Sequence, residues 1–186
     1  MKHLTAPFNP AELKALRAGE NILVSGIIYT ARDAAHARLC AALEKGEELP
    51  VDLRGQTVFY AGPTPTPPGK PSGAIGPTTS VRMDPYTPAM LHYGVNALIG
   101  KGGRSQSVKD ALRETGSVYF AAIGGCAAYM ASCIEQLDVV AYEDLGTESI
   151  KRLQVRELPL TVAVDAHGGD AYEMGMEAYL YALKSE

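Results

Sequence analysis

Short apolar runs alternate with segments of helical pattern along this chain, and the alternation limits the fold more than any other feature. The strand-type runs in the first two thirds are residues 21–29, 57–61, 95–99 and 118–123. The helix-type segments are residues 9–19, 34–44, 84–94, 105–113 and 172–184. Strands that alternate with helices predict a mixed α/β fold, in which helices pack on a sheet.

The later part of the chain contains three further strand-type runs. They are residues 139–142, 150–155 and 160–165. Because residues 150–155 alternate poorly between apolar and polar side chains, we predict an edge strand there. Residues 62–76 contain too many prolines and glycines for a helix or a strand, which predicts a loop.

The composition excludes several classes of protein. With 186 residues, of which 46% are hydrophobic and 20% charged, the chain can bury one core, and a single domain over residues 1–186 is expected. The net charge of −4 argues against a nucleic-acid partner, because no basic stripe is present to neutralise phosphates. The sequence shows neither a membrane-spanning run nor the apolar core of a secretion signal, so we expect a cytoplasmic protein without a membrane partner.

Two glycine-bearing loops carry cations and hydroxyl groups just before predicted helices. They are GPTTSVRMD at residues 76–84 and KGGRS at residues 101–105. Asp84 and Ser105 are residue types that cap helices, and the free N–H groups of a helix start would face any anion that Lys101 and Arg104 attract. Either loop alone is compatible with a simple connection, but together they favour a site for a small anion.

Three cysteines, Cys40, Cys126 and Cys133, show neither zinc-binding nor ferredoxin-type spacing. An odd number of free thiols fits a reducing compartment better than a disulfide framework. Cys40 has leucines beside it in a helical run and is predicted to be a core thiol. Cys126 follows a glycine pair at a predicted helix start, where a thiolate would be stabilised, although a packing role is favoured.

Three runs resemble the three signatures of the iron–sulfur-dependent class I hydro-lyases: YTARDAAH (29–36), GPTTSVRMD (76–84) and KGGRS (101–105). The resemblance extends from about residue 21 to about residue 170 and includes YAGP (60–63) and IGGCAA (123–128). The resemblance is to the C-terminal domain of class I fumarate hydratase, or to the separate beta subunit of two-subunit fumarate hydratases and L(+)-tartrate dehydratases. It implies a swivelling β/β/α domain. The implied reaction is reversible hydration of fumarate to malate, with dehydration of tartrate as the alternative.

The resemblance also implies which residues form the site. Arg32, Arg82 and Lys101 are expected to bind the carboxylates of a small dicarboxylate substrate. Thr78 is also expected to bind substrate, and Thr78 and Lys101 form the expected catalytic set. Thr78 maps onto a proposed proton-abstracting hydroxyl, and the open alternative is a hydroxyl that only binds substrate or caps a helix. Without the motifs, Arg32 and Lys101 would be interpreted as solvated surface cations. His36 is expected to be packed or exposed, outside the catalytic set.

A [4Fe-4S] cluster is implied as the cofactor, held by a separate alpha subunit and not by this chain. The three cysteines are therefore expected not to bind iron. The implied assembly is a heterotetramer with the alpha subunit, and a homodimer is one possibility for the isolated chain. Two rival functions are a small-anion binding module and a non-catalytic assembly subunit, although the sequence has neither a Walker pattern nor a Gly-x-Gly-x-x-Gly run.

Overall fold

The computed structural model describes residues 1–184, and its framework is a seven-stranded sheet. The strands are β1 (Lys2–Ala6), β2 (Asn21–Thr30), β3 (Thr57–Phe59), β4 (Ala97–Gly100), β5 (Val118–Ala121), β6 (Ile134–Ala141) and β7 (Ile150–Val164). Their order is β1-β2-β3-β4-β5-β7-β6, and β2 also pairs with β7. Strands β2, β3, β4, β5 and β7 therefore form a closed ring.

Helices and two short 3₁₀ turns surround this ring. The helices are α1 (Pro10–Ala15), α2 (Asp33–Glu44), α3 (Thr87–Tyr93), α4 (Gln106–Thr115), α5 (Ala127–Ser132) and α6 (Ala171–Lys184). The 3₁₀ turns are Ser80–Met83 and Glu143–Glu148. A closed sheet with surrounding helices confirms the predicted mixed α/β fold and fits the β/β/α architecture. No helix within residues 1–184 is both long and apolar enough to cross a bilayer.

The ring has buried side chains on both of its faces, which explains why the short strands β4 and β5 are apolar throughout. In β3 and just beyond it, Phe59 packs into the core inside the ring, whereas Val58 and Tyr60 pack into a second core beneath the helices. Cys40 belongs to this second core, as predicted for a core thiol. Strands covered on both faces are typical of a parallel sheet with helices outside it.

The prediction of two separate strands at 150–155 and 160–165, the first at a sheet edge, is wrong. Residues 150–164 form one strand, and its first half lies between β2 and β6, where Leu153 pairs with both Ile28 and Leu137. The pattern misleads because Arg156 and Glu157 both lie opposite Ser25, as a bulge that interrupts the apolar alternation. Glu157 has a φ of 51°, consistent with this local irregularity.

Two other strands differ from the prediction. β1 was not predicted, because its five residues carry no apolar alternation strong enough to stand out. It pairs with β2 in parallel, from Lys2 opposite Ile22 to Ala6 opposite Gly26. β6 begins at Ile134, five residues before the predicted start at 139, and pairs only with β7. Both strands lie at edges of the sheet, where polar residues are tolerated.

The direction of the strands determines where the loops meet. Strands β1 to β5 are parallel neighbours, and β7 runs antiparallel to β2, β5 and β6. The carboxyl ends of β2, β3, β4 and β5 therefore lie at the same edge of the ring. In open α/β sheets, ligands bind at the edge formed by the carboxyl ends of the strands.

Candidate functional site

The predicted site residues meet at the carboxyl edge of the parallel strands. Arg32 follows β2, and Lys101 directly follows β4. The segment 77–80 crosses this edge, because Pro77 pairs with Ala61 beyond β3 and Thr79 pairs with Lys101 beyond β4. The GPTTSVRMD loop is thereby placed beside both the arginine and the lysine loops.

Backbone hydrogen bonds hold this crossing segment in place. The Thr78 amide donates to the Tyr60 carbonyl at 2.6 Å, and the Ser80 amide donates to the Lys101 carbonyl at 3.0 Å. The Lys101 amide in turn donates to Ser80 Oγ at 3.0 Å. Thr78 and Lys101, the two predicted catalytic residues, are therefore carried by segments that are bonded to each other.

Asp33 joins the two predicted substrate-binding arginines. Arg82 Nε donates to Asp33 Oδ1 at 2.9 Å, and Arg32 Nη2 lies 3.9 Å from Asp33 Oδ2. Within residues 1–184, Arg32 Nε and Asp33 Oδ2 are both buried and have no hydrogen-bond partner. Buried polar atoms without partners are costly, so a polar ligand would gain hydrogen bonds at this point.

Glu148 is a site residue that sequence reasoning missed. Its Oε1 lies 3.5 Å from Arg32 Nη2, and its Oε2 accepts a hydrogen bond from the Ala34 amide at 2.8 Å. This carboxylate therefore caps the start of α2, where Arg32 occupies the N-cap position without a side-chain bond of its own. Because Glu148 lies more than a hundred residues after Arg32 in the sequence, no short-range pattern could identify it.

A buried lysine holds the turn that carries Glu148. Lys151 Nζ donates to Ser149 Oγ at 2.6 Å and to the carbonyls of Gly146 and Thr147 at 2.9 and 3.1 Å. On the other side of this turn, a Cβ built on Gly62 would lie 2.6 Å from Thr147 Cγ2 and 3.3 Å from Arg32 Cδ. Glycine is therefore required in the YAGP run for Arg32 to lie against the backbone.

Lys101 lies beside the IGGCAA run. A Cβ built on Gly124 would be 3.6 Å from Lys101 Cδ and 3.9 Å from its Nζ, so the lysine extends across the glycine backbone. In the described part of the chain, Lys101 has no acidic partner within ion-pair distance, unlike Arg32 and Arg82. Its ammonium group is therefore available to a ligand.

Arg104 is not a site cation, which corrects the expectation that it attracts an anion. Its side chain is 0% exposed, its Nε donates to Asp84 Oδ1 at 2.8 Å, and its guanidinium lies over the rings of Tyr60 and Tyr119. The expected capping role of Asp84 is also wrong, because α3 begins only at Thr87. A buried arginine requires a charged partner, and Asp84 supplies that charge while its other oxygen accepts from the Ser105 amide at 2.7 Å.

The buried tyrosine beside Arg104 reaches the lysine loop. The Tyr119 hydroxyl lies 3.0 Å from Ser80 Oγ and 2.9 Å from the Gly102 carbonyl. Burial raises the pKa of Tyr119, which keeps its phenol protonated at neutral pH. Buried Arg104, Asp84 and Tyr119 therefore hold the lysine loop in place through hydrogen bonds, and they contribute no exposed charge to the site.

His36 is packed, one of the two outcomes expected for it. It is 1% exposed, its Nδ1 lies 2.9 Å from the Arg32 carbonyl, and its ring meets the edges or faces of Tyr60 and Tyr86. Burial lowers the pKa of His36 to about 4, chiefly because the charged ring would lose its hydration. The ring is therefore neutral at pH 7.

This lowered pKa predicts a loss of stability in weak acid. Below pH ~6.5 the unfolded chain binds a proton on His36 that the folded chain does not bind, so stability falls by up to about 1.4 kcal/mol per pH unit until pH ~4. Urea denaturation at pH 7 and pH 5 should show a smaller difference for His36→Phe than for wild type. His92→Phe, at an exposed histidine, is the control and should retain the wild-type difference. If the change in stability between pH 7 and pH 5 is equal for all three proteins, the lowered pKa of His36 does not cause it.

The cysteines do not gather at the site. Cys40 lies in α2, while Cys126 and Cys133 flank the short helix α5. Burial raises the pKa of both Cys40 and Cys133, so they are protonated thiols at neutral pH. Among residues 1–184, no three His, Cys, Asp or Glu side chains converge in a metal-binding arrangement.

A protein-family model and individual relatives assign this chain to the same family. Residues 3–175 match the family model described as the fumarase C-terminus. The anaerobic class I fumarate hydratase of Escherichia coli K12 is 39% identical over 165 residues, which cover 88% of this chain and 30% of that protein. Fumarate hydratase 2 of Leishmania major is 36% identical over 163 residues, which cover 87% of this chain and 29% of that protein.

A shorter relative matches along most of its length. A putative L(+)-tartrate dehydratase subunit beta of Methanocaldococcus jannaschii is 36% identical over 168 residues, which cover 87% of this chain and 86% of that protein. The chain thus spans about 30% of the two fumarate hydratases but most of the beta subunit. Because the family model covers nearly all of the chain, this protein belongs to the fumarase C-terminus family.

Proposed function

We propose that this chain is the beta subunit of a two-subunit hydro-lyase, a fumarate hydratase, and that it supplies the residues that bind the substrate carboxylates. The observation that carries the proposal is the position of Arg32, Arg82 and Lys101 at one edge of the closed sheet, in a family with fumarate hydratases among its members. Dehydration of L(+)-tartrate is the second candidate, because the relative named as a beta subunit matches over 86% of its own length.

Each cation has a distinct role in the proposed mechanism. Arg82 is 52% exposed at its side chain, so its guanidinium can bind a carboxylate through two parallel hydrogen bonds. The buried Nε of Arg32 offers a further donor beside it. Lys101 contributes a point charge that stabilises the additional negative charge formed when a carbon next to a carboxylate loses its proton.

Thr78 is the proposed proton acceptor. In the dehydration direction, a proton leaves the carbon beside one carboxylate, hydroxide leaves the neighbouring carbon, and a double bond forms between them. The Thr78 oxygen accepts this proton only as an alkoxide, which requires nearby positive charge and N–H donors to lower the pKa of its hydroxyl. Arg82, four residues further along the same loop, is the proposed source of that charge.

The hydroxyl group that leaves or enters requires a Lewis acid. The described residues, 1–184, do not fit a [4Fe-4S] cluster, since Cys40 and Cys133 are buried in different parts of the core and no group of three His, Cys, Asp or Glu side chains among them could hold a metal. We therefore propose that the cluster is held by an alpha subunit within a heterotetramer. When bound there, the cluster would supply the Lewis acid.

The isolated chain is expected to be inactive. Its residues 1–184 supply cations for the substrate but no side chains that fit the cluster, so the purified protein supplied anaerobically with iron and sulfide should not hydrate fumarate. Co-expression with an alpha chain should give turnover, assayed in parallel on fumarate, malate and both tartrates. Turnover by the isolated chain would contradict the two-subunit proposal, and anion binding without turnover in the complex would favour the binding-module alternative.

A further inference from the structure

The last helix exposes an unusual amount of apolar surface. None of the 14 residues of α6 is buried. Its polar side chains, Glu173, Glu177 and Lys184, follow one line along the helix, since they are separated by four and seven residues. The exposed apolar side chains that cover much of the remainder include Tyr172, Met174, Met176, Tyr179, Leu180 and Leu183. A helix that is apolar around most of its circumference is normally covered.

The exposed area matches that of a specific interface. Tyr172, the least exposed of these six residues, is 44% exposed, and Tyr179, the most exposed, is 65% exposed. Side chains of this size present together an area on the order of 700 Å², which is close to the ~800 Å² that one partner contributes to a standard protein–protein interface. The surface is therefore large enough to bind another protein without a major contribution from elsewhere.

The helix is attached directly to the candidate site. The Gly102 amide, adjacent to Lys101, donates to the Tyr172 hydroxyl at 3.1 Å. Lys109 of α4 forms ion pairs with Asp170 and Glu173, which fix the start of α6. A protein that covers the first turn of α6 would therefore lie next to the lysine loop.

The comparison with relatives favours one kind of partner for the exposed surface of α6. The family model ends at residue 175, so residues 176–183, with most of the exposed apolar surface, lie beyond it. In relatives about three times as long as the match, the rest of the protein is covalently attached to the matched part, which gives it a high effective concentration. A partner made as a separate chain has no such linkage and needs additional binding surface.

We propose that α6 is the helix on which the alpha subunit of this enzyme docks. This inference rests on the proposed function, since it assumes that such a subunit exists. The apolar side of α6 contacts the alpha subunit, and the bond between Tyr172 and Gly102 brings that contact next to Lys101. The alternative occupant, a second copy of this chain, gives a different result in the following test.

The test measures binding between the full chain and an alpha chain from the same organism, identified by its similarity to the part of the fumarate hydratases that this chain does not cover. Tyr179→Glu should weaken the dissociation constant at least 10-fold. Val139→Glu, at a 46% exposed valine in the edge strand β6, introduces the same charge at another exposed apolar position and should bind like wild type. A thermal melt of each variant checks its folding, and Leu183→Glu replaces Tyr179→Glu if that variant unfolds.

Binding of the α6 variants with wild-type affinity would overturn the inference while leaving the proposed function intact. Light scattering of the isolated chain provides the second readout. If wild type is a dimer, Tyr179→Glu is a monomer and alpha binding is unchanged, the helix binds a second copy and the inference is wrong. If wild type itself does not bind the alpha chain, the proposed function fails.

Discussion

Replacing Asp84 by alanine should lower the free energy of unfolding by about 3–5 kcal/mol, because it leaves a buried charge without its partner. The Arg104 side chain is 0% exposed and its ion pair with Asp84 is 2.8 Å long. The substitution also removes the acceptor of the Ser105 amide at the start of α4. Arg104 Nη1 is buried without a hydrogen-bond partner and Nη2 donates to the neutral Thr87 Oγ1, so among the described residues no second carboxylate lies at ion-pair distance to replace Asp84.

Urea denaturation at pH 7 measures this loss. Asp144→Ala is the matched control, because it breaks the exposed ion pair between Arg38 and Asp144 and should change stability far less. If Asp84→Ala does not fold, Asp84→Asn keeps one acceptor oxygen for the Ser105 amide, but it removes the charge and the acceptor of Arg104 Nε, and it should still show a measurable loss. Equal losses for Asp84→Ala and Asp144→Ala would show that Arg104 does not depend on Asp84.

Replacing Arg82 by alanine should have the opposite profile, with a large effect on catalysis and little on folding. In the alpha–beta complex, kcat/KM should fall about 10- to 150-fold, corresponding to the ~1.5–3 kcal/mol of a charged hydrogen bond to the substrate. The melting temperature should remain close to wild type, since the Arg82 side chain is 52% exposed and, among residues 1–184, its bonding partner is the half-buried Asp33. Arg82→Lys should restore part of the activity, because it keeps the charge but not the paired hydrogen bonds.

The control for this experiment is Arg113→Ala, an exposed arginine on α4 whose ion pair with Asp110 lies on the helix surface. It should leave both kcat/KM and the melting temperature unchanged. A low melting temperature for Arg82→Ala, with normal kcat/KM in the folded fraction, would mean that Arg82 is structural and that the substrate site lies elsewhere.

Local patterns predicted much of the fold, and non-local contacts account for the errors. Helix α2 and strand β2 were predicted within one residue, because caps and apolar periodicity act over a few positions. The continuity of β7 was missed because Arg156 and Glu157 have the pattern of a turn, and only the partner strand shows them to be a bulge. No short-range pattern carries that information.

The same distinction applies to the site. The motifs selected Arg32, Arg82 and Lys101, and the fold places all three at one edge of the ring. The sequence did not reveal that Arg104 is buried, because its partner Asp84 is 20 positions away and a glycine loop normally predicts exposure. Glu148 was missed for the same reason, since its contact with Arg32 forms only when the chain has folded.

The closed ring also has a consequence for the order in which the protein can form during synthesis. β2 pairs with β7 from Asn21 opposite Thr161 to Thr30 opposite Lys151, which joins residues more than a hundred positions apart. Until β7 has left the ribosome, β2 and β5 each expose an unpaired edge, and contacts of such long range form slowly. A chain that stops before Ile150 would contain Arg32, Thr78, Arg82 and Lys101 but not the ring that brings them together.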